Sequence, residues 1–254
     1  MRIKCISLNL WDGGNLLPNI FKFLEEHAEA DLILLQEAYN SPDPALIENY
    51  RSVEVLQAKT GLPYAHFAPM VLDKLLIGKV EAGNAILSKF PILSSDVQFF
   101  DETYRERNAY DITENPTMPR ILQHVVVDAE GTKLNLYNLH GVWDLDGDNY
   151  SELRQKMSRV IRENVQGKQK AILAGDSNAK PTNKAMRDIE DYMFSVFGDG
   201  LKTTYNMRRK TNPGFATAAC DVMYVSPDIK VIEKDCPDVD ISDHLPLVVT
   251  LEIS

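Results

Sequence analysis

Five polar clusters of the 254-residue chain stand at the ends of apolar runs. They are Asn9 after Ile6-Ser7-Leu8, Glu37 after Leu32-Ile33-Leu34-Leu35-Gln36, His140 at the close of Thr132 to His140, Asp176-Ser177-Asn178 after Ala171 to Ala174, and Asp243-His244 ahead of Leu247. Buried polar groups are costly unless they bind something, so clusters placed this way suggest one assembled site. Hard oxygen donors, with neither a thiolate nor a set of several histidines, favour Mg²⁺ or Mn²⁺ over zinc. Mg²⁺ in particular is held by one or two carboxylates, with water and substrate oxygens completing its shell. Glu37 is the best single metal ligand on this pattern. Each cluster alone also has a plainer reading. Ser242-Asp243-His244 is ordinary turn chemistry before a last strand, Gly175-Asp176-Ser177-Asn178 a strand-to-helix turn with a side-chain cap, His140 a core histidine, and Asp221 a polar strand start.

Hydrophobic periodicity supplies the elements that position these groups. Ile6, Leu8 and Leu10 alternate with Cys5, Ser7 and Asn9, which predicts a strand with one face ending on Asn9. Leu17, Ile20, Phe21, Leu24 and Ala28 fall at helical spacing, with Asn15 as the expected cap. The continuous run Leu32 to Leu35 marks a strand buried on both faces, which leaves Glu37 at its C-terminal end. Residues 43–60 read as a helix, Pro63 to Met70 and Gly83 to Ser88 as strands, and Pro91 as the opening of another. Residues 100–118, polar and carrying Arg105, Arg107, Asn115 and Pro116, read as a long functional loop lying over the site. Glu130-Gly131 between two alternating runs predicts a hairpin that puts Leu134, Leu136, Asn138 and His140 on one face. Tyr150, Leu153, Met157, Val160 and Ile161 form a helical stripe, and strands follow at Asp221 to Val225, Ile229 to Glu233 and Leu247 to Ile253. With no repeat, low-complexity tract or linker, residues 1–254 read as a single layered α/β domain with its site on one rim.

Charge argues about partners. With 27 Lys+Arg against 37 Asp+Glu, the net charge of −10 has the wrong sign for holding polyanions by bulk electrostatics. A cation bound among carboxylates can still restore positive potential where a phosphate sits. Cys5, Cys220 and Cys236 are odd in number and widely spaced, which suits reduced thiols rather than a disulfide framework or metal knuckle. Met1-Arg2 leads straight into a strand, and no run approaches the roughly 20 apolar residues that span a bilayer. A cytoplasmic protein is the expectation.

Taken together, several short motifs carry a resemblance. Leu8-Asn9-Leu10-Trp11, Gln36-Glu37, Gly83-Asn84-Ala85-Ile86-Leu87-Ser88, Asn138-Leu139-His140, Gly175-Asp176-Ser177-Asn178, Asp221 to Ser226 and Ser242-Asp243-His244-Leu245-Pro246-Leu247 resemble, in order, the motifs of the endonuclease/exonuclease/phosphatase family. The match covers residues 3 to 252. The resemblance implies a DNase I-like, four-layer αββα sandwich, with two mixed β-sheets face to face and helices outside. It also implies a role for each matched residue. Glu37 is the principal metal ligand, with Asn9 and Asp243 helping to hold the metal or its waters. Asp176 activates or orients the attacking water and Asn178 fixes its position. His244 binds the phosphate and stabilises developing charge, Asp221 holds that imidazole, and His140 contacts a non-bridging oxygen. In-line attack on phosphorus needs a positioned water and a clamp on the equatorial oxygens, which a metal with two imidazoles supplies.

The expected function is Mg²⁺- or Mn²⁺-dependent phosphoester hydrolysis, first of all in DNA or RNA. Arg105, Arg107, Arg120 and the Arg208-Arg209-Lys210 run are candidate grips on substrate phosphates. A small-molecule or lipid phosphoester is the alternative substrate, held in a confined pocket. A catalytically silent binding module is the alternative of another class; its mark would be loss of Glu37, Asp176 or His244, and all three are present. Asp144-Leu145-Asp146-Gly147-Asp148 with Glu152 has the wrong spacing for a calcium loop. Ser177 lacks the Gly-x-Ser-x-Gly elbow of a serine nucleophile. Arg154 and Gln155 are expected to be structural.

Overall fold

The structure is a computed structural model that describes residues 1–111, 113–114, 118–144 and 149–254. Its strands are β1 (Arg2–Asn9), β2 (Leu32–Asn40), β3 (Tyr64–Leu75), β4 (Gly78–Ser88), β5 (Ile92–Phe99), β6 (Arg105–Asn108), β7 (Ile121–Ala129), β8 (Thr132–His140), β9 (Ala171–Asp176), β10 (Phe194–Ser195), β11 (Asp221–Val225), β12 (Ile229–Asp235) and β13 (Leu247–Ile253). The helices are α1 (Leu17–Glu26), α2 (Ser52–Thr60), α3 (Glu152–Val165) and the single turn α4 (Lys184–Arg187). Two mixed sheets result, one in the order β12-β13-β1-β2-β4-β3-β6 and the other β10-β11-β9-β8-β7-β5.

Strand alternation decides what each sheet face touches. Ile3, Cys5, Leu32 and Leu34 from the first sheet meet Val125, Leu134, Leu136 and Ile172 from the second in a core between the sheets. The intervening residues Ile6, Leu8, Ile33 and Leu35 face outward against Ile20 and Leu24 of α1 and Leu56 of α2. Leu139 and Leu173 on the far face of the second sheet pack on Met157 and Ile161 of α3 and Met186 of α4. The layers are therefore helices, sheet, sheet, helices, the αββα sandwich expected from the motifs. All three cysteines are free thiols. No helix among the described residues is long and apolar enough to cross a membrane.

Several local expectations are revised. Asn15 does not cap α1; the helix begins at Leu17 with Pro18 in its first turn, and Phe23 takes the buried position while Ala28 lies past the helix end, exposed. Only the second half of 43–60 is α-helix. Ser41 Oγ accepts from Asp43 N and Asp43 Oδ1 from Ala45 N, so residues 41–45 form side-chain-stabilised turns that compete with helix, and Glu48–Arg51 is a 3-10 turn leading into α2. Residues 100–118 are not all loop, because β6 adds to β3 as a parallel edge strand. Asn115 and Pro116 lie outside the described residues. So do residues 145–148 of the acidic segment after Asp144. The hairpin turn at Glu130-Gly131 is as expected, with φ of 55° and 89°, both positive as a tight hairpin requires.

A buried amide network ties the two sheets together at the end where the polar clusters gather. Asn138 donates from Nδ2 to Leu35 O (2.9 Å), Ala85 O (3.0 Å) and Gln123 Oε1 (3.0 Å), while its own Oδ1 accepts from Gln36 Nε2 at 2.7 Å. Asn84 Nδ2 donates to Asn138 O at 3.1 Å. Both strands that carry Glu37 and His140 are thus fixed relative to each other by their neighbours Gln36 and Asn138. Asn138→Leu leaves several buried partners unsatisfied and is expected to cost on the order of 3 kcal/mol. Urea unfolding measures it; a midpoint unchanged from wild type would show that the network does not hold the sheets.

Candidate active site

Every motif cluster reaches the same rim. Asn9 ends β1, opposite Gln36 in the parallel register. His140 ends β8 and pairs with Asp176 at the end of β9, which in turn faces Asp221 at the start of β11. Asp243 and His244 arrive from the segment preceding β13. The turn after Asp176 depends on Gly175, whose φ is +141° and whose Cα lies so close to β8 that an added Cβ would meet Leu139 O at 2.0 Å. No other residue type fits there.

Glu37 is set by an irregularity in its strand. The register of β2 with β4 shifts between Leu35 and Ala38, and Glu37 sits in that bulge with φ of 54°. Trp11 (φ 60°), Asp12 (φ 51°) and Asn178 (φ 50°) are also in the left-handed region. Such backbone costs about 1–3 kcal/mol per non-glycine residue and gathers where function demands it. The turn after Asn9 wraps the Glu37 carboxylate: Asp12 N donates to Glu37 Oε2 at 3.0 Å and Asn9 Nδ2 to Oε1 at 3.1 Å. The same Asn9 amide reaches Asp176 Oδ2 at 3.2 Å, and its Oδ1 accepts from Trp11 N at 3.0 Å. Asn9 therefore bridges the two carboxylates.

Asp176 is buried and receives Asn178 N on Oδ1 at 2.8 Å. Its Oδ2 lies 3.9 Å from His140 Nε2 and 4.0 Å from His244 Nε2. Burial, then the neighbouring Asp221 and Glu37 charges, push the Asp176 carboxyl up to about 6, against the opposing pull of His244 and Asn178 N–H. Asn178 is anchored through Nδ2 to Gly141 O at 3.1 Å, and Arg154 donates to Asn178 O at 2.6 Å. Arg154 is thus a buried support of this turn, and Gln155 bonds Tyr150 O at 3.2 Å. Ser177 is buried, with Oγ on the carbonyls of Cys220 and Ala179.

The two histidines differ. His244 Nδ1 pairs with Asp221 Oδ2 at 2.8 Å. Burial opposes its charging, but the Asp221 and Asp176 carboxylates outweigh that, and the imidazole titrates well above its ordinary range. His140 is fully buried, with Arg120 Nη1 against its imidazole edge, able to donate to the one ring nitrogen that carries no hydrogen. Burial first, then Arg120 and His244, hold it well below the ordinary range. A guanidinium N–H can only donate, so His140 is a neutral acceptor on that side.

These groups line a cavity of about 270 Å³ whose walls include Tyr39, Trp143, Tyr205 and Phe215. Arg107 and Arg120 also line it; Arg105 does not, and pairs with Glu114 at 2.8 Å. Arg107 makes a two-point ion pair with buried Asp73, Nε to Oδ1 at 2.7 Å and Nη2 to Oδ2 at 2.9 Å, and Tyr39 Oη donates to Asp73 at 3.1 Å. Among the motif residues, Asn9 and Asp221 stand behind the cavity surface. Asp12, Tyr39 and Asp73 were missed by the sequence reading. For Asp12 a signal existed, since Gly13-Gly14 marks a tight turn right after Asn9. Desolvation, then Glu37 and Asp243, push the Asp12 carboxyl up to about 7, a crowding of negative charge that a bound cation relieves. The cavity wall thus carries oxygen donors of the kind a hard divalent metal takes, on Glu37, Asp176 and Asp12. Among the described residues, Asp176, Cys220 and His244 are the group whose ligand atoms lie within mutual range. Burial pushes the Cys220 thiol up to about 12, which leaves it a neutral thiol at neutral pH.

The family model described as Endonuclease/Exonuclease/phosphatase family matches residues 6–244. The chain belongs to this family. Endonuclease/exonuclease/phosphatase enzymes are phosphoester hydrolases that depend on a divalent metal, in keeping with the donor set above. Solved structures share the fold. An endonuclease/exonuclease/phosphatase protein from Beutenbergia cavernae DSM 12333 is 18% identical with a TM-score of 0.76, covering 100% of this chain and 72% of the other. A mannosyl-6-phosphatase from Bacteroides thetaiotaomicron VPI-5482 is 18% identical, TM-score 0.71, covering 99% and 100%. D. rerio TDP2, complexed with a single-strand DNA product, is 20% identical, TM-score 0.70, covering 99% of each chain. No curated protein matches this chain in sequence.

Proposed function

We propose that this chain, acting as one domain over residues 1–254, hydrolyses a compact phosphoester with Mg²⁺ or Mn²⁺. The observation that carries the reading is the convergence of Glu37, Asp176 and the Asp221-paired His244 on one cavity of about 270 Å³. Glu37, with Asp12 and Asp176 near it, would hold the metal; when bound, it supplies positive charge to the phosphate and lowers the pKa of water. Asp176, near neutral in its titration, accepts the proton of the attacking water. His244, kept protonated by Asp221, donates from Nε2 to a phosphate oxygen as charge develops. Arg120 carries the positive charge on the His140 side.

A compact substrate is favoured over polymeric nucleic acid by the fate of the basic residues. Arg105 pairs with Glu114, Arg107 with Asp73, Arg208 with Asp238 and Arg209 with Asp240, so these side chains do not form a free basic track. The net charge of −10 points the same way. The second reading, action at a strand end of DNA or RNA, draws on the fold shared with D. rerio TDP2, solved with a single-strand DNA product. The three free cysteines suit a reducing, cytoplasmic setting.

Phosphate release from sugar phosphates, inositol phosphates and lipid phosphoesters, beside cleavage of plasmid DNA, single-stranded oligonucleotides and RNA, separates the readings. The proposal expects metal-dependent turnover of a small phosphoester to exceed that of every nucleic acid. Preferential cleavage of DNA or RNA overturns the compact-substrate reading. Metal-independent turnover, or none across the panel, overturns the hydrolase assignment as stated.

A further inference from the structure

The basic run Arg208-Arg209-Lys210 divides its labour. Arg208 and Arg209 turn outward to Asp238 and Asp240. Lys210 turns inward: its ammonium lies 2.7 Å from Asp243 Oδ2 and 5.8 Å from the centre of the Phe215 ring, in the wall of the catalytic cavity. Its position is built. Lys210 N donates to Asn206 O (2.9 Å) and Asn206 N to Asp243 O (2.9 Å), while the buried Asn206 side chain donates to Ser242 O and Asp240 Oδ1, both at 2.8 Å. The turn bearing the lysine is therefore clamped to the segment bearing Asp243 and His244.

The pairing decides which carboxylates remain for a metal. The cavity is lined by Asp12, Glu37, Asp73, Asp176 and Asp243. Arg107 answers Asp73 and Lys210 answers Asp243. Asp243 has only 5% of its side chain exposed, so it needs a cation close by. In two-metal phosphoesterase sites, ions about 3.5–4 Å apart clamp the attacking and leaving oxygens. A second ion here would have to take Asp243 from the lysine.

We propose that Lys210 stands in for a second metal ion: its ammonium neutralises Asp243 and supplies positive charge where a second ion would sit, so the working site holds a single divalent metal on the Glu37 side. The inference rests on the metal-dependent reading above. It also reassigns Asp243 from metal ligand to partner of the lysine.

Manganese binding to the metal-free protein, followed by calorimetry and by electron paramagnetic resonance of free Mn²⁺, tests this without reference to turnover. Wild type is expected to bind one Mn²⁺ per chain, lost in Glu37→Gln and kept in Asp243→Asn. Lys210→Met is expected to gain a second Mn²⁺ site that disappears in Lys210→Met/Asp243→Asn. Its kcat should fall roughly 10²-fold at metal concentrations that fill only the Glu37 site and recover as the second site fills, with partial recovery in Lys210→Arg at low metal. Circular dichroism on each variant verifies folding. Two Mn²⁺ sites in wild type, one of them lost in Asp243→Asn, overturns the proposal, as does a Lys210→Met variant with unchanged stoichiometry and rate. Wild type that binds no Mn²⁺ removes the metal-dependent reading itself, and this inference with it.

Discussion

Asp176→Asn is expected to lower kcat by roughly 10³-fold, the scale of a lost proton acceptor, while leaving the protein folded. The substitution keeps volume and shape, and Asn178 N can still donate to the remaining oxygen, as it does now at 2.8 Å. What is lost lies at Oδ2, which accepts from Asn9 Nδ2 at 3.2 Å and stands about equally far from His140 and His244. An amide nitrogen there cannot take a proton from water and opposes another donor. Stability should not suffer by more than about 1 kcal/mol, since an uncharged amide escapes the desolvation cost that burial imposes on the carboxylate. Kinetics at saturating metal together with a urea midpoint measure both quantities. Activity within about fivefold of wild type would remove Asp176 from the chemistry.

Glu37→Gln is expected to weaken Mn²⁺ binding by at least about 10²-fold, beyond what loss of an outer-shell partner costs, with activity falling alongside. No neighbouring carboxylate can take its place, because the bulge at φ 54° aims this side chain alone between Asp12 N and Asn9 Nδ2. Glutamine retains the acceptor on one side but brings a second amide donor against Asn9 or the Asp12 N–H, and removes the charge. Titration with Mn²⁺ reads the affinity directly. An unchanged affinity would move the metal away from Glu37.

Much of this arrangement is legible in the residues, for a physical reason. Glu37, His140 and Asp176 each close an apolar run and Asp243-His244 precede one, and a polar group at the end of a buried run lies at the rim unless a partner buries it. The hairpin at Glu130-Gly131 declares itself because its turn needs positive φ. The bulge at Glu37 does not, since it arises from register between β2 and β4 rather than from a glycine. Short edge strands escape too: among the described residues β6 pairs only with β3, and its Arg-Glu-Arg-Asn sequence carries no apolar alternation. Arg107 reads as a surface arginine until Asp73, far away in the chain, buries it. Lys210 likewise looks like one of three solvated charges, because what distinguishes it from Arg208 and Arg209 is its pairing with Asp243, 33 residues on in the chain. Side chains whose roles come from long-range pairing leave no local trace.

In the proposed reaction, water activated at Asp176 beside a metal on Glu37 attacks phosphorus. Hydrolysis of the preferred phosphoester in ¹⁸O-enriched water with Mg²⁺, analysed by mass spectrometry of both products, tests it most directly. One ¹⁸O is expected on the phosphorus-bearing product and none on the released alcohol, with no labelled product in the presence of chelator. Label on the alcohol, or undiminished labelling under chelation, would contradict it.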